Sequence, residues 1–245
     1  MRDRLKRTNA IITKERKFVK NYHMKQEKQS SALLVFMRAP RAGKVKTRLA
    51  RSLGNEKAAE FYNLCTDATL GEIGQLSQEI DKYISFTEPT SKYDMERLAG
   101  LGFKVTLQEG EGLGQRLCNA FSRVLENGAQ KVVIVASDVP DLSARIMTDA
   151  VSSLDNSDVV IGPCYDGGYY LIGMKELHEE LFHGIPWGTE RVYQQTLDAT
   201  RKKALAVREL PILVDIDTEA DLRQWSQVDG YKKPALMDFI KAIRL

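Results

Sequence analysis

The sequence has few cysteines and no long apolar segment, and each absence excludes a class of protein. Its 245 residues include three cysteines, Cys65, Cys118 and Cys164, which are far apart and form no Cys-x-x-Cys pair. This excludes a disulfide framework and a cysteine-rich zinc site, and it predicts a reduced, cytoplasmic protein. No apolar run approaches the roughly 18 to 20 residues that cross a bilayer. The longest runs, LLVFM and VVIVA, have the length of buried strands, so we expect no membrane association.

The basic charge of the chain is confined to its N-terminus. Residues 1–30 contain ten Lys or Arg and three Asp or Glu, a net charge of +7, whereas the remainder contains 26 and 30, a net charge of −4. An acidic body lacks the basic face that nucleic-acid binding needs, so we expect no nucleic-acid partner. The composition of residues 1–30 is typical of a disordered tail. A transit peptide, or a start at Met24, is the alternative. Because no linker rich in proline or glycine divides residues 31–245, we predict a single domain there.

Short apolar runs alternate with segments of helical periodicity, which predicts an α/β sandwich around a mainly parallel sheet. The predicted strands and extended segments are Leu33–Met37, Lys82–Phe86, Phe103–Leu107, Val132–Ala136, Val159–Gly162, Tyr169–Ile172 and Leu205–Leu210. The predicted helices are Asn55–Leu76, Lys92–Ala99, Leu113–Glu126, Ser143–Leu154, Val192–Ala199, Glu219–Trp225 and Pro234–Leu245. In such a sheet ligands bind beyond the carboxyl ends of the strands, so the residues that follow each strand are the candidates for function.

The first candidate is RAPRAGKVKTRL, Arg38–Leu49, which follows the first predicted strand. It resembles a phosphate-binding P-loop but fails the G-x-x-x-x-G-K-[ST] pattern in both registers. Its five cationic side chains repel one another unless an anion compensates them, so we interpret it as a different kind of phosphate-binding loop, with Thr47 as the cap of a short helix. A solvated basic loop is the alternative. The candidate ligands are Ala39, Pro40, Gly43, Lys44, Lys46 and Arg48.

Two acidic segments are candidates for a metal site. In ASDVPDL, Asp138 directly follows a buried strand, where it could hold Mg²⁺ or Mn²⁺ against the phosphates. An Asx-turn or a helix cap is the alternative for this aspartate, although Asp141 could take that part. In VDIDTEADL, Asp215 and Asp217 follow an extended run. If Thr218 caps the next helix, Asp217 is left to be a second metal carboxylate.

Glycine-rich segments predict the remaining parts of the site. GPCYDGGYYLIG, Gly162–Gly173, is typical of a hairpin, but its paired glycines also let a ligand approach the backbone. EGEGLGQRL, Glu109–Leu117, is a loop running into a helix. Trp187 is either a packing anchor or an aromatic wall beside a sugar or base. The candidates are Gly114 and Arg116 for the phosphates, and Asp166, Gly167, Gly168, Tyr169 and Trp187 for the acceptor side.

Five motifs, in this order, resemble the DUF2064 family, over about residues 32–225. They are the run from Phe36 to Leu49, ASDVPDL, DVVIGPCYDGGYYLIG, LFHGIPWGTERVYQQT and DIDT. Some classifications name this family a transferase associated with radical-SAM and selenoprotein domains, with an arsenosugar-biosynthesis glycosyltransferase branch. The resemblance implies the GT-A fold of nucleotide-diphospho-sugar transferases, phosphate contacts from Gly43, Lys46 and Arg48, and metal binding by Asp138 and, more loosely, Asp217. The chain departs from the family at Gly188, where serine is usual.

These residues favour a metal-dependent, glycosyltransferase-like enzyme that takes a nucleotide-diphosphate sugar and a small-molecule acceptor. In this reading the catalytic residues are Asp138, Lys46 and Asp166, the last as a candidate base. A nucleotidyltransferase acting on a phosphorylated small molecule, similar to 2-phospho-lactate guanylyltransferase, uses the same loop and metal. A non-catalytic nucleotide-binding protein is the third reading.

Overall fold

The fold was obtained as a computed structural model that describes residues 30–89, 92–227 and 233–243. The strands are β1 (Ser31–Met37), β2 (Ile80–Phe86), β3 (Lys104–Leu107), β4 (Lys131–Ala136), β5 (Val159–Pro163), β6 (Tyr169–Met174) and β7 (Val207–Glu209). The helices are α1 (Ala50–Leu53), α2 (Asn55–Gly74), α3 (Lys92–Gly100), α4 (Leu113–Glu126), α5 (Ala144–Ser153), α6 (Val192–Lys202), α7 (Glu219–Gln227) and α8 (Pro234–Ala242), with a short 3₁₀ helix at Glu179–Leu181. The predicted α/β sandwich is confirmed, whereas the predicted N-terminal tail, apart from Ser30, lies outside the described residues.

All these strands join one sheet, in the order β3-β2-β1-β4-β6-β5-β7. Only β6 runs against its neighbours, pairing antiparallel with β4 and with β5, and the other pairings are parallel. The carboxyl ends of β1, β2, β3, β4, β5 and β7 therefore meet at one edge. Every segment that follows one of these strands, including the β5–β6 turn, begins at that edge, which is where a mainly parallel sheet binds ligands.

The sheet is buried on both faces, as the continuous apolar runs predict. Along β1, Leu33 and Val35 enter a core formed with α2, α3 and α5. The alternate residues Ala32 and Leu34 enter a second core formed with α4 and α6. The period of two along the strand thus places helices on both sides and gives three layers. Among the described helices, none is long and apolar enough to span a bilayer.

The C-terminal segment packs against the outer side of α2. Phe61 of α2 and Phe239 of α8 have ring centroids 5.6 Å apart, and Trp225 of α7 is buried in the same cluster. Helix α7 begins with a reciprocal cap, since the backbone N–H of Thr218 donates to Asp221 Oδ2 and that of Asp221 donates to Thr218 Oγ1. The predicted cap at Thr218 is confirmed. It fixes the start of α7, directly after the segment that follows β7.

Candidate active site

Three carboxylates converge on one buried ammonium at the carboxyl edge of the sheet. Lys46 Nζ lies 2.7 Å from Asp215 Oδ1, 2.9 Å from Asp217 Oδ1 and 2.9 Å from Asp138 Oδ2. The Lys46 side chain is only 3% exposed, whereas those of Asp138 and Asp217 are 25% and 40% exposed. The loops after β1, β4 and β7 are therefore joined by a single cation.

The loop after β1 turns Lys46 inward. Val45 is buried against Ala59 and Tyr62 of α2, and Leu49 is buried in the C-terminal cluster. Between them Lys46 adopts a left-handed conformation with φ of 43°, which costs a residue other than glycine roughly 1–2 kcal/mol. The predicted cap at Thr47 is wrong. Helix α1 begins at Ala50, and its N-cap position is Leu49, where no side chain makes a capping hydrogen bond.

Tyr62 joins the ends of the two central strands. Its hydroxyl accepts a hydrogen bond from the backbone N–H of Arg38, at 2.9 Å, and lies 2.9 Å from Ser137 Oγ. Arg38 is the first residue after β1, and Ser137 immediately precedes Asp138. This buried tyrosine of α2 therefore fixes the position of the candidate phosphate-binding loop relative to Asp138.

The cluster carries more negative than positive charge, since three carboxylates surround one ammonium. Burial lowers the pKa of Lys46, but the carboxylates outweigh it and hold that pKa well above its usual value. Burial and the charge of Asp138 raise the pKa of Asp215 to about 7, although Lys46 opposes the shift. Arg48 Nη1, 3.6 Å from Asp217 Oδ2, offsets part of the remaining charge.

The donor set fits a hard divalent cation. Carboxylate oxygens are the ligands that Mg²⁺ and Mn²⁺ prefer, and the excess negative charge of the cluster favours a cation. No group of three or more acidic, histidine or cysteine side chains within the described ranges is arranged to hold a metal as it stands. The ammonium of Lys46 takes the position between the carboxylate oxygens. A metal would therefore contact Asp138 and Asp217 from their exposed side or displace Lys46.

A cavity of about 640 Å³ opens beside this cluster, a size typical of small-molecule sites. Its walls bring together residues from five of the carboxyl-edge segments. They include Phe36, Arg38, Lys46, Thr47, Arg48, Tyr62, Thr87, Gln108, Leu113, Arg116, Asp138, Asp215 and Asp217. The candidates Lys46, Arg48, Arg116, Asp138 and Asp217 thus lie together. By contrast Ala39, Pro40, Gly43 and Lys44 are not in its wall, and Ala39 is buried whereas the other three are exposed.

A neighbouring cavity of about 570 Å³ contains the candidates for the acceptor side. Asp166, Gly168, Tyr169 and Trp187 line it, together with Arg48 and Asp217. The Tyr169 and Trp187 rings meet edge to face with centroids 6.1 Å apart. The predicted hairpin is also confirmed, because Asp166–Gly168 forms the turn between antiparallel β5 and β6, with the backbone N–H of Gly168 donating to Asp166 Oδ1 at 2.8 Å.

Two of the candidate glycines are required for close packing. A Cβ on Gly167 would lie 2.0 Å from the carbonyl oxygen of Glu190. A Cβ on Gly114 would lie 2.7 Å from Trp187 Nε1 and from the carbonyl oxygen of Phe182. Gly114 is buried beneath Trp187 and is not in the wall of the larger cavity. It therefore supports the tryptophan and does not line that cavity.

Three residues of this site were not selected as candidates from the sequence. Asp215 could have been found, because Asp215 and Asp217 are two apart on an extended segment and so share one side, while Ile216 faces the core. Tyr62 gave no signal beyond its place on an apolar helix face. Gln108 directly follows β3, and its position at a strand end was the only available indication.

The fold is that of the nucleotide-diphospho-sugar transferase class. The DUF2064 family model, described as "Uncharacterized protein conserved in bacteria", matches residues 72–189. A crystal structure from Desulfovibrio desulfuricans G20, provisionally described as a nucleotide-diphospho-sugar transferase, is 32% identical with a TM-score of 0.80, covering 88% of this chain and 96% of that one. The chain belongs to the DUF2064 family.

A more distant structure shares the fold alone. A cytidylyltransferase from Leptospira borgpetersenii is 15% identical with a TM-score of 0.51, covering 88% of this chain and 94% of that one. Among proteins with curated descriptions, none matches this sequence.

Proposed function

We propose that the protein is a metal-dependent, glycosyltransferase-like enzyme that uses a nucleotide-diphosphate sugar as donor. The observation that carries this proposal is the meeting of Arg48 and Arg116 with a three-carboxylate cluster in one cavity at the carboxyl edge. Phosphate groups need cationic side chains, and a bound divalent cation needs carboxylates, and here both line the same space. The description of the 32% identical relative agrees with this assignment.

The proposal assigns one set of residues to the diphosphate of the donor and to the metal. Arg48 and Arg116 bind the diphosphate, and Lys46 joins them when it is released from the carboxylates. Asp138 and Asp217 hold the metal, which when bound stabilises the negative charge that develops on the departing diphosphate.

The acceptor lies in the neighbouring cavity, where Tyr169 and Trp187 provide an aromatic wall. Asp166 is exposed there and oriented by Gly168, so it takes the proton from the acceptor hydroxyl. The acceptor oxygen then forms its bond to the anomeric carbon as the bond from that carbon to the diphosphate oxygen breaks. Arg48 and Asp217 line both cavities, which supports binding of the two proposed reactants side by side.

The test combines binding and turnover. Thermal unfolding is followed with nucleoside diphosphates and nucleotide sugars, each with Mn²⁺, with Mg²⁺ and with a chelator. We expect metal-dependent stabilisation by at least one nucleotide sugar, followed by release of a nucleoside diphosphate when acceptors are added. Absence of stabilisation by any nucleotide contradicts the proposal. Release of pyrophosphate from a nucleoside triphosphate instead identifies a nucleotidyltransferase.

A matched pair of variants separates function from folding. Asp138→Asn removes a proposed metal ligand and should abolish both the metal-dependent stabilisation and turnover. Asp149→Asn alters an exposed aspartate of α5, which pairs with Arg145, and should leave both unchanged. Binding without turnover in the unaltered protein, across all acceptors tried, would favour a non-catalytic nucleotide-binding protein.

A further inference from the structure

Cationic side chains are concentrated in the larger cavity, which the proposed function assigns to the donor. Its cationic and acidic residues are equal in number. The cationic ones are Arg38, Lys46, Arg48 and Arg116, and the acidic ones are Glu111, Asp138, Asp215 and Asp217. Arg38 and Arg116 donate to backbone carbonyl oxygens, and neither forms an ion pair within the described residues. Both guanidinium groups are therefore available to an anion.

The neighbouring cavity, which is proposed for the acceptor, carries an excess of negative charge. Asp166, Glu190 and Asp217 line it, and Arg48 is the one cationic residue among the described residues of its wall. Arg48 Nη1 lies 3.6 Å from Asp217 Oδ2. Asp166 and Glu190 are then left without a cationic partner in the described ranges. Three acidic residues against one cation give an excess of two negative charges.

The same excess is found in the cavity that contains Tyr165. The charged residues that line it are Asp166, Asp215, Asp217, Asp221, Arg48 and Arg51. Four acidic residues against two cations again give an excess of two negative charges. Lys46 is paired with Asp217 but also with Asp138, so it reduces the excess without reversing it. Whichever of these two cavities leads an acceptor to Asp166, the wall that it meets is acidic.

A bound donor does not reverse this balance. The diphosphate of a nucleotide sugar carries about two negative charges, which one divalent cation offsets. Arg48 is engaged with that diphosphate in the proposed function, so Asp166 and Glu190 remain uncompensated. Charges that line a cleft act together and are felt over about 10 Å at 0.1 M salt. The number of carboxylates therefore matters more than the orientation of each.

We infer that the acceptor is a hydroxyl compound without a phosphate or carboxylate group, and this inference rests on the proposed function. An anionic group needs cationic partners, and the available guanidinium groups line the donor cavity. In the acceptor cavity it would meet carboxylates of its own sign. Carboxylates instead accept hydrogen bonds from hydroxyl groups, and Tyr169 and Trp187 provide an apolar wall for the rest of the molecule. The nucleotidyltransferase alternative, which needs a phosphorylated acceptor, is disfavoured by the same charges.

The two tryptophans of the chain allow the sign of this charge to be measured. Trp187 lines the acceptor cavity and is half-buried, whereas Trp225 is only 1% exposed. Iodide, caesium and acrylamide quench tryptophan fluorescence on contact, so they report the access of an anion, a cation and a neutral molecule. Each quenching constant is measured at constant ionic strength and divided by that of free N-acetyltryptophanamide. Trp187→Phe supplies the background from Trp225.

We expect the normalised constant for caesium to exceed that for iodide by about threefold or more. The difference should persist with Mg²⁺ and each of UDP, CDP, ADP and GDP. Glu190→Gln should raise the iodide constant about twofold and leave the acrylamide constant unchanged, because it alters charge and not access. Asp149→Asn removes the same charge from an exposed site on α5 and should change none of the three constants.

Two results overturn the inference. One is wild-type protein in which iodide quenches Trp187 as efficiently as caesium does. The other is turnover of glycerol phosphate with a lower KM than that of glycerol. Neither contradicts the proposed function, because both leave nucleotide binding intact. Failure of every nucleotide to stabilise the protein would contradict the proposed function, and the quenching ratio measured without nucleotide does not depend on that result.

Discussion

The ammonium of Lys46 and the carboxylate of Asp215 form a 2.7 Å ion pair between residues 169 positions apart in the chain. Lys46 is buried and Asp215 is half-buried, and the pair joins the loop after β1 to the segment after β7. The local stability of the site therefore depends on a cation at this point.

Replacement of Lys46 by methionine should leave three carboxylates without their buried cation. Breaking a buried ion pair by removing one partner costs about 3–5 kcal/mol, and we expect a loss of that order in the free energy of unfolding in chelator. Mn²⁺ should recover much of this loss, since it supplies the missing positive charge. Denaturant unfolding with and without Mn²⁺ measures both effects.

The control for this variant is Lys44→Met, at an exposed lysine of the same loop, which should change stability by no more than about 0.5 kcal/mol. A Lys46→Met protein as stable as wild type in chelator would show that the ammonium does not hold the carboxylates together. Equal loss with and without Mn²⁺ would argue against a metal at this cluster.

The stability of the ligand-free protein should fall as pH rises between about 4 and 7. Burial and the charge of Asp138 raise the pKa of Asp215 to about 7, above the unfolded value of about 3.9. Because the folded state holds this proton more tightly than the unfolded state, its contribution is fully present below about pH 4 and is lost as pH rises through 7. Denaturant unfolding across this range should show the decline, and Asp215→Asn should flatten it. An equal slope in the variant would assign the decline to other groups.

Tyr62→Phe removes the hydroxyl that joins the ends of β1 and β4. The backbone N–H of Arg38 then loses its acceptor, which should cost about 1–3 kcal/mol in the free energy of unfolding. Nucleotide affinity should also fall, because Arg38 and Asp138 lose their common support. Tyr165→Phe is the matched control, since that ring is 74% exposed and should change stability little. Equal stability and affinity in Tyr62→Phe and wild type would show that the Tyr62 hydroxyl does not support the two strand ends.

Gly167→Ala should destabilise the β5–β6 turn by more than its backbone conformation alone requires. The new Cβ would lie 2.0 Å from the carbonyl oxygen of Glu190, and φ is +82°. Gly184→Ala separates the two causes, because φ there is +70° but no atom lies within 4 Å of the new Cβ. We expect about 1 kcal/mol for Gly184→Ala and a clearly larger loss for Gly167→Ala, both by thermal unfolding. Equal losses would mean that the contact with Glu190 relaxes freely.

The elements of the fold were predictable because their causes are local. The run Val132–Ala136 reads as a buried strand by itself, and α4 at Leu113–Glu126 has the predicted bounds. The β5–β6 turn and the cap at Thr218 were also found, since each depends on residues within a few positions. The place of β6 between β4 and β5 was not predicted, because strand order depends on contacts far apart in the sequence.

Several candidate site residues could be named from the sequence, and their contacts with one another could not. Positions after the strands directed attention to Asp138, Asp217 and Arg48, which line one cavity. The sequence placed Lys46 among the phosphate-binding and catalytic candidates. Its burial among carboxylates was not predictable, because it depends on a left-handed turn and on a segment 169 residues away. Gln108 could be identified as a site residue only from the structure, in which β1, β2 and β3 lie side by side.

Arg48 and Asp217 line the larger cavity, the cavity beside Trp187 and a further one that contains Tyr165. A ligand that draws the Arg48 guanidinium into one of these cavities removes its positive charge from the other two. If the proposed donor and acceptor occupy two of these cavities, their affinities are thermodynamically coupled, and the coupling is reciprocal. We then expect the affinity for each to depend on the concentration of the other.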